Sequence, residues 1–191
     1  MTDPNAKPWA EFDELPGEKF TDFLVVRAKI DELTKEVAGH NKHVVDIPIV
    51  LHVYSPTCPD MSFIDLPGVI RIPLRGSDSP SFIEETTKLM ALKYAGDKRT
   101  IILCVIPANI DIVTSEALLI ATTIDVKGLR TIGVITKIDI MDKGTHTKKS
   151  LYGQEVPLRL GFVGVKVRSK QDIRLGKPIQ VGLEVIVQYN P

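Results

Sequence analysis

The order of elements along the chain predicts an α/β fold, a mostly parallel sheet with helices on both faces. Three observations lead there. Thr100–Ile106 is a continuous apolar run of strand length, as a strand covered on both faces requires, and Thr131–Thr136 reads as another buried strand. Ser115–Ile124, between them, is rich in Ala and Leu and reads as a short helix. Strands and helices also alternate along the rest of the chain at the spacing of βαβ units. Composition agrees: 24 Lys+Arg balance 24 Asp+Glu and 43% of the 191 residues are hydrophobic, enough for one packed core. A zero net charge argues against nucleic acid as a partner, because a nonspecific binder carries a basic excess.

Residues 1–18 mix Pro4, Pro8, Pro16 and Gly17 with acids and show no period, so they read as an irregular lead-in, with Trp9 and Phe12 able to pin it to the body. From Thr21 the apolar residues Phe23, Val26, Ile30, Leu33 and Val37 recur at helical spacing, and Gly39 follows as a stop. Ile47–Tyr54 is β-branched and apolar, with Pro48 placing it near a sheet edge. Met61–Leu66 reads as a second short strand ending in Pro67-Gly68, and 71–80 as a loop with Pro73, Gly76 and Pro80. Ser81-Phe82-Ile83-Glu84 has capping-box spacing and opens a helix continued by Met90 and Tyr94. Val163–Val167 is the expected last strand, followed by a C-terminal extension over 176–191. Cys58 and Cys104 belong to no metal-ligand spacing, and Cys104 sits in an apolar run as a small buried hydrophobe. No stretch approaches the roughly 18 to 20 apolar residues of a membrane span, so a cytoplasmic protein is expected.

Three features fall just after predicted strands, where open α/β sheets place their ligands. In Asp65-Leu66-Pro67-Gly68 the acid can hold a magnesium-bound water, and the glycine lets a backbone N–H approach a γ-phosphate with no Cβ in the way. In Thr136-Lys137-Ile138-Asp139 the Asp139 carboxylate can accept from the guanine ring N–H and exocyclic amine, a pairing adenine does not offer. Lys137 would lay its methylene stem along the base or ribose. Val167-Arg168-Ser169-Lys170 matters by position. Each tetrapeptide taken singly also fits a solvated turn after a buried strand. His40, His43, His52 and His146 show no metal-ligand spacing beyond the weak His40/His43 pair, and no Ser/His/Asp or Cys/His set lies at strand ends, which disfavours an unrelated doubly wound enzyme.

In this order, together with PIVLHVYSP (48–56), FIDLPG (63–68), PANID (107–111), SEAL (115–118), GLRTIGVITKIDIMD (128–142), Gly144-Thr145 and GFVGVKVRSKQD (161–172), these motifs resemble the GTPase domain of the dynamin family of large GTPases over roughly residues 10 to 185. The resemblance implies a P-loop-GTPase-like fold and a partial GTPase domain over 19–175. GTP and Mg2+ are the implied cofactors, and GTP hydrolysis coupled to membrane remodelling the implied role. It implies that Asp65 and Gly68 are the magnesium-water and γ-phosphate positions and that Thr136, Lys137 and Asp139 face guanine. Asp142 falls where the family has a further acid near the base, and Arg168, Ser169 and Lys170 form the last nucleotide-facing loop. Asp111 matches an acid offered across the interface of a homodimer formed through the nucleotide face. Membrane and microtubule contacts are expected only through regions outside this chain.

The departures are as informative. No GxxxxGK[ST] string occurs, so the backbone cradle, lysine and hydroxyl that hold phosphates and magnesium are missing, and the family's switch threonine has no counterpart. The sequence thus reads as a family member without its N-terminal strand and P-loop, marginally stable by itself and deficient in hydrolysis. The alternative class is a noncatalytic GTPase fold acting as an interaction module. Val167 stands where the family usually has Asn, Lys170 replaces a usual Gln, the 71–80 loop is longer by about two residues, and the apolar Val185–Val187 stretch has no family counterpart.

Overall fold

The computed structural model describes residues 6–39, 44–69, 83–140, 151, 153–178 and 183–188. The chain divides into two compact units, Met1–Met90 and Ala91–Pro191. Where the sequence suggested one core, there are two clusters of buried residues, one in each unit.

In the first unit, β1 (Trp9–Phe12) pairs antiparallel with β2 (Leu51–Tyr54), in the register Trp9↔Tyr54 to Phe12↔Leu51. The lead-in is therefore not irregular throughout. Trp9 stacks on Tyr54 with centroids 4.1 Å apart, and Ala10 and Phe12 turn inward to be fully buried. Helix α1 (Phe23–Ala38) begins where the Asp22 carboxylate accepts the Leu24 N–H at 2.8 Å. It stops at Gly39, whose φ of 67° suits a residue without Cβ. Val26 and Leu33 of its apolar stripe pack with Ala10 and Phe12. Pro48 does precede a strand at a sheet edge, but that strand belongs to this two-stranded sheet rather than the parallel one.

Residues 61–69, expected to open with a strand, take no regular structure, and Phe63 is 80% exposed. An apolar run becomes a strand through ladder pairing, and intrinsic preference does not substitute for a partner. Helix α2 (Ile83–Ala95) follows, with Glu84 and Glu85 in its first turn. Ser81 of the expected capping box and the 71–80 loop lie outside the described residues.

The second unit holds the α/β sheet. Among the described residues the order is β3 (Ile102–Pro107), β4 (Thr131–Thr136), β5 (Phe162–Lys166) and β6 (Glu184–Gln188). The first three are parallel, and β6 runs antiparallel to β5. The Val185–Val187 stretch thus has its account: it is an added sheet strand. Helix α3 (Glu116–Ile124) starts at Ser115, whose hydroxyl caps Leu118 N–H, and presses Leu118 and Ala121 onto Cys104, Ile106, Ile135 and Phe162. Burial pushes the Cys104 thiol up to about 12, as suits an inert core residue. Strand β3 was expected to be covered on both faces; instead Cys104 and Ile106 point into the core while Leu103 and Val105 are each 53% exposed.

Two local fits fix this unit. Gly133 stands opposite Phe162 in the register, and a Cβ built there would lie 2.1 Å from the Phe162 ring. At the other end of β4, the buried Asp125 carboxylate accepts from Leu129 N–H (3.0 Å), Arg130 N–H (2.9 Å) and the Thr131 hydroxyl (2.8 Å). Arg130 then donates to Thr100 C=O at 2.8 Å, tying the start of β4 to the start of β3. Burial pushes the Asp125 carboxyl upward, but these three donors outweigh it and hold the group below its ordinary value.

Gly133→Ala is expected to cost about 1–3 kcal/mol by overpacking a fully buried ring, and Phe162→Ala about 3–5 kcal/mol. Because the clash needs both partners, the double variant should lose less than the sum of the two, read from denaturant unfolding. A depressed Asp125 pKa contributes stability above the unfolded value of about 3.9 and loses it as pH falls through the folded value. Acid titration of unfolding should therefore be steeper below about pH 4 in the natural chain than in Asp125→Asn; identical slopes would contradict the assignment.

Candidate functional site

The register levels the carboxyl ends of the parallel strands: Pro107 faces Thr136, and Thr136 faces Val165. The loops after β3, β4 and β5 therefore leave from one edge of the sheet, and they carry Asp111, then Lys137 and Asp139, then Arg168, Ser169 and Lys170. Cross-links close their bases: Ala108 N–H donates to Thr136 C=O at 2.8 Å, and the Thr136 hydroxyl donates to Ile106 C=O at 3.4 Å. Six of the residues singled out in the sequence thus converge on one sheet edge, beside Thr136 at the strand end itself.

Lys137 has φ 58°, the left-handed region, and among the described residues it is the non-glycine found there. This conformation turns the chain sharply off β4 into a short 3-10 turn, Ile138–Ile140. Ile138 folds back against the core while Asp139 stays exposed. A lysine in this region costs about 1–2 kcal/mol that a glycine would not, a pattern found where local geometry serves something other than stability.

Asp111 caps a second 3-10 turn, Ile112–Thr114, with its carboxylate accepting Val113 N–H at 3.1 Å, and it is exposed. After β5, Ser169 caps helix α4 (Lys170–Arg174) in a full capping box with Asp172, and Arg168 donates from Nη1 to Lys177 C=O at 2.7 Å. Sequence reading missed Asp172 and Lys177 as parts of this loop, although the Ser169-to-Asp172 spacing is itself a capping signature.

Asp65 and Gly68 lie in the first unit, both exposed. A Cβ at Gly68 meets nothing within 4 Å and its backbone is outside the left-handed region, so neither packing nor turn geometry requires this glycine. Gly133 and Gly128 differ: the space beside the first is filled by Phe162, and the second has φ 58°, where a Cβ would lie 3.0 Å from the Pro157 carbonyl oxygen. Asp142 lies outside the described residues.

The sequence matches the model of the Dynamin family over residues 2–138. It is 43% identical over 185 residues to dynamin-related protein DNM1 of Saccharomyces cerevisiae, covering 97% of this chain and 24% of that protein. Dynamin-related protein 3A of Arabidopsis thaliana is 45% identical over 175 residues, covering 92% of this chain and 21% of that protein. Dynamin-2 of Bos taurus is 43% identical over 175 residues, again 92% of this chain and 20% of its own length. The chain thus spans between a fifth and a quarter of the length of these curated relatives.

Lys137→Gly should match or exceed the stability of Lys137→Ala, by up to about 1 kcal/mol, since relief of the left-handed strain outweighs the unfolded-state entropy that glycine adds. Denaturant midpoints of the two variants decide it, and a clearly less stable glycine variant would mean that the φ of 58° carries no strain.

Proposed function

Because the chain belongs to the dynamin family, we propose that it binds guanine nucleotide at the carboxyl edge of its parallel sheet and does not by itself turn GTP over. The observation that carries this reading is the Thr136–Asp139 turn. It leaves β4 through a strained Lys137 and presents an exposed Asp139 beside the two neighbouring loops. Asp139 would accept the guanine ring N–H and exocyclic amine, two charge-assisted bonds that discriminate against adenine. Lys137 would flank the base or ribose, Thr136 closes the turn, and Asp142 supplies a further acid near the base. Arg168, Ser169 and Lys170 border the base from the β5 side, where Val167 has no polar group to offer. Asp65 and Gly68 are the phosphate-side residues, and the open surroundings of Gly68 suit the close approach of an anion to its N–H.

The residues fit the base better than they fit the cation. Among the described residues no group of three or more His, Cys, Asp or Glu could hold a metal ion, and Asp65 would contact Mg2+ only through water. Phosphoryl transfer depends almost entirely on positioning and charge neutralisation of the phosphates. With no GxxxxGK[ST] string in this sequence, the chain lacks the lysine and the backbone cradle for that work. No hydrolytic step is therefore derived from these residues. GTP hydrolysis coupled to membrane remodelling is the role we assign to the longer proteins of the family. In them, Asp111 would sit at a homodimer interface formed through the nucleotide face. No helix among the described residues is long and apolar enough to cross a membrane.

Titration of the whole chain with fluorescent guanine and adenine nucleotide analogues, with and without Mg2+, tests the reading. Saturable binding that favours guanine is expected, and Asp139→Ala should erase the preference, a loss of about 1.5–3 kcal/mol for guanine. No phosphate release above buffer is expected. Equal binding of both bases would sink the guanine assignment, and measurable turnover the noncatalytic one.

A further inference from the structure

The loop after β5 uses its own side chains to hold its own shape. The Asp172 carboxylate accepts the Ser169 N–H at 3.0 Å and the Ser169 hydroxyl at 2.7 Å, while the Ser169 oxygen accepts the Asp172 N–H at 3.1 Å. The other carboxylate oxygen takes the Lys177 ammonium. The backbone closes the same ring, with Lys177 N–H on Asp172 C=O at 3.0 Å, and the Arg168 guanidinium reaches across to Lys177 C=O at 2.7 Å. Four residues, Arg168, Ser169, Asp172 and Lys177, thus lock one another through charge-assisted bonds on a surface that has little apolar burial to order it.

We propose that Asp172 and Lys177 are positioning residues for guanine selectivity: they hold the backbone of Val167–Lys170 in the shape that borders the base, with Arg168 acting as a strut rather than as a nucleotide ligand. The proposal rests on the guanine reading above. Val167, 52% exposed, carries no hydrogen-bonding side chain, and Arg168 and Ser169 are committed to Lys177 and Asp172. With Arg168 and Ser169 drawn into the lock, the backbone this loop turns toward a base edge takes its direction from Asp172. Rotating a backbone N–H by tens of degrees weakens a hydrogen bond steeply, so a loosened lock costs selectivity before it costs the fold. The Lys177 hydrogen bond first, and those from Ser169 after it, also hold the Asp172 carboxyl well below the usual carboxylate range, so the lock is closed at neutral pH.

The test compares the whole chain with Asp172→Ala and Lys177→Met, each titrated with fluorescent guanine and adenine nucleotide analogues, alongside amide exchange of Ser169 and Asp172. Asp172→Ala should speed exchange of both amides at least tenfold and narrow the guanine-to-adenine affinity ratio at least fivefold. Exchange at Leu129 and Arg130, held by Asp125, should not move. Lys177→Met should give a smaller change of the same kind and, being a partly exposed position, guards against a variant that fails to fold. A merely structural role would lower both affinities together and leave their ratio unchanged, which overturns the proposal. If the unsubstituted chain binds guanine with selectivity and the ratio survives in Asp172→Ala, the proposal fails while the guanine reading stands. If the unsubstituted chain binds neither nucleotide, the guanine reading falls and takes the proposal with it.

Discussion

The parallel pairing of β3, β4 and β5 is the constraint on which the rest of the second unit depends. Parallel strands need long crossovers, and here a helix between β3 and β4 supplies the cover that the sheet's inner face requires. The pairing holds only if the inner face packs, and packing turns on one small-large complement, Gly133 beneath the Phe162 ring. With that fit in place, Cys104, Ile106 and Ile135 line up for Leu118 and Ala121 of α3. The same register brings three loops to one edge. Core complementarity and site geometry are therefore the same fact seen from two sides of the sheet.

Polar satisfaction does for the ends of the sheet what apolar packing does for its middle. At the amino end, Asp125 gathers three donors and Arg130 reaches Thr100, which ties α3, β4 and β3 together. At the carboxyl end two of the three loops are braced by caps of their own: Asp111 on Val113, and Ser169 with Asp172. These caps act on single turns at the surface and contribute about 0.5–2 kcal/mol each. Their effect is conformational, fixing backbone direction where a ligand would read it. Lys137 goes the opposite way, holding a strained φ at the turn that returns Ile138 to the core and leaves Asp139 exposed. Gly68 is a parallel case in the first unit, a glycine with open space around it and no turn that needs it. Residues that break local rules without a packing reason are where function is expected.

Legibility followed how local the cause of each element was. Both ends of β4 were readable, because Thr131–Thr136 is a β-branched run closed by a charged turn. The helix from Ser115 was readable from its Ala and Leu content and the stop of α1 from Gly39, both of them local causes. By contrast, β1 hides in a proline-rich lead-in, since four residues carry no period and Trp9 becomes a strand residue by stacking on Tyr54 far along the chain. Met61–Leu66 looks like a strand by composition and is not one, because composition does not supply a neighbour. The exposed outer face of β3 was likewise invisible: a run apolar at every position suggests cover on both faces, whichever partners are present.

By itself the sequence determined the α/β class and the family, since these follow from short motifs and from apolar periodicity that any partner would read alike. Tertiary structure decided which strands share a sheet, that β6 adds to it antiparallel, and that Arg168 and Ser169 turn back on Lys177 and Asp172. The reason is physical. A strand's partner and a long side chain's target are set by geometry between residues distant in sequence, and neither propensity nor spacing encodes that distance.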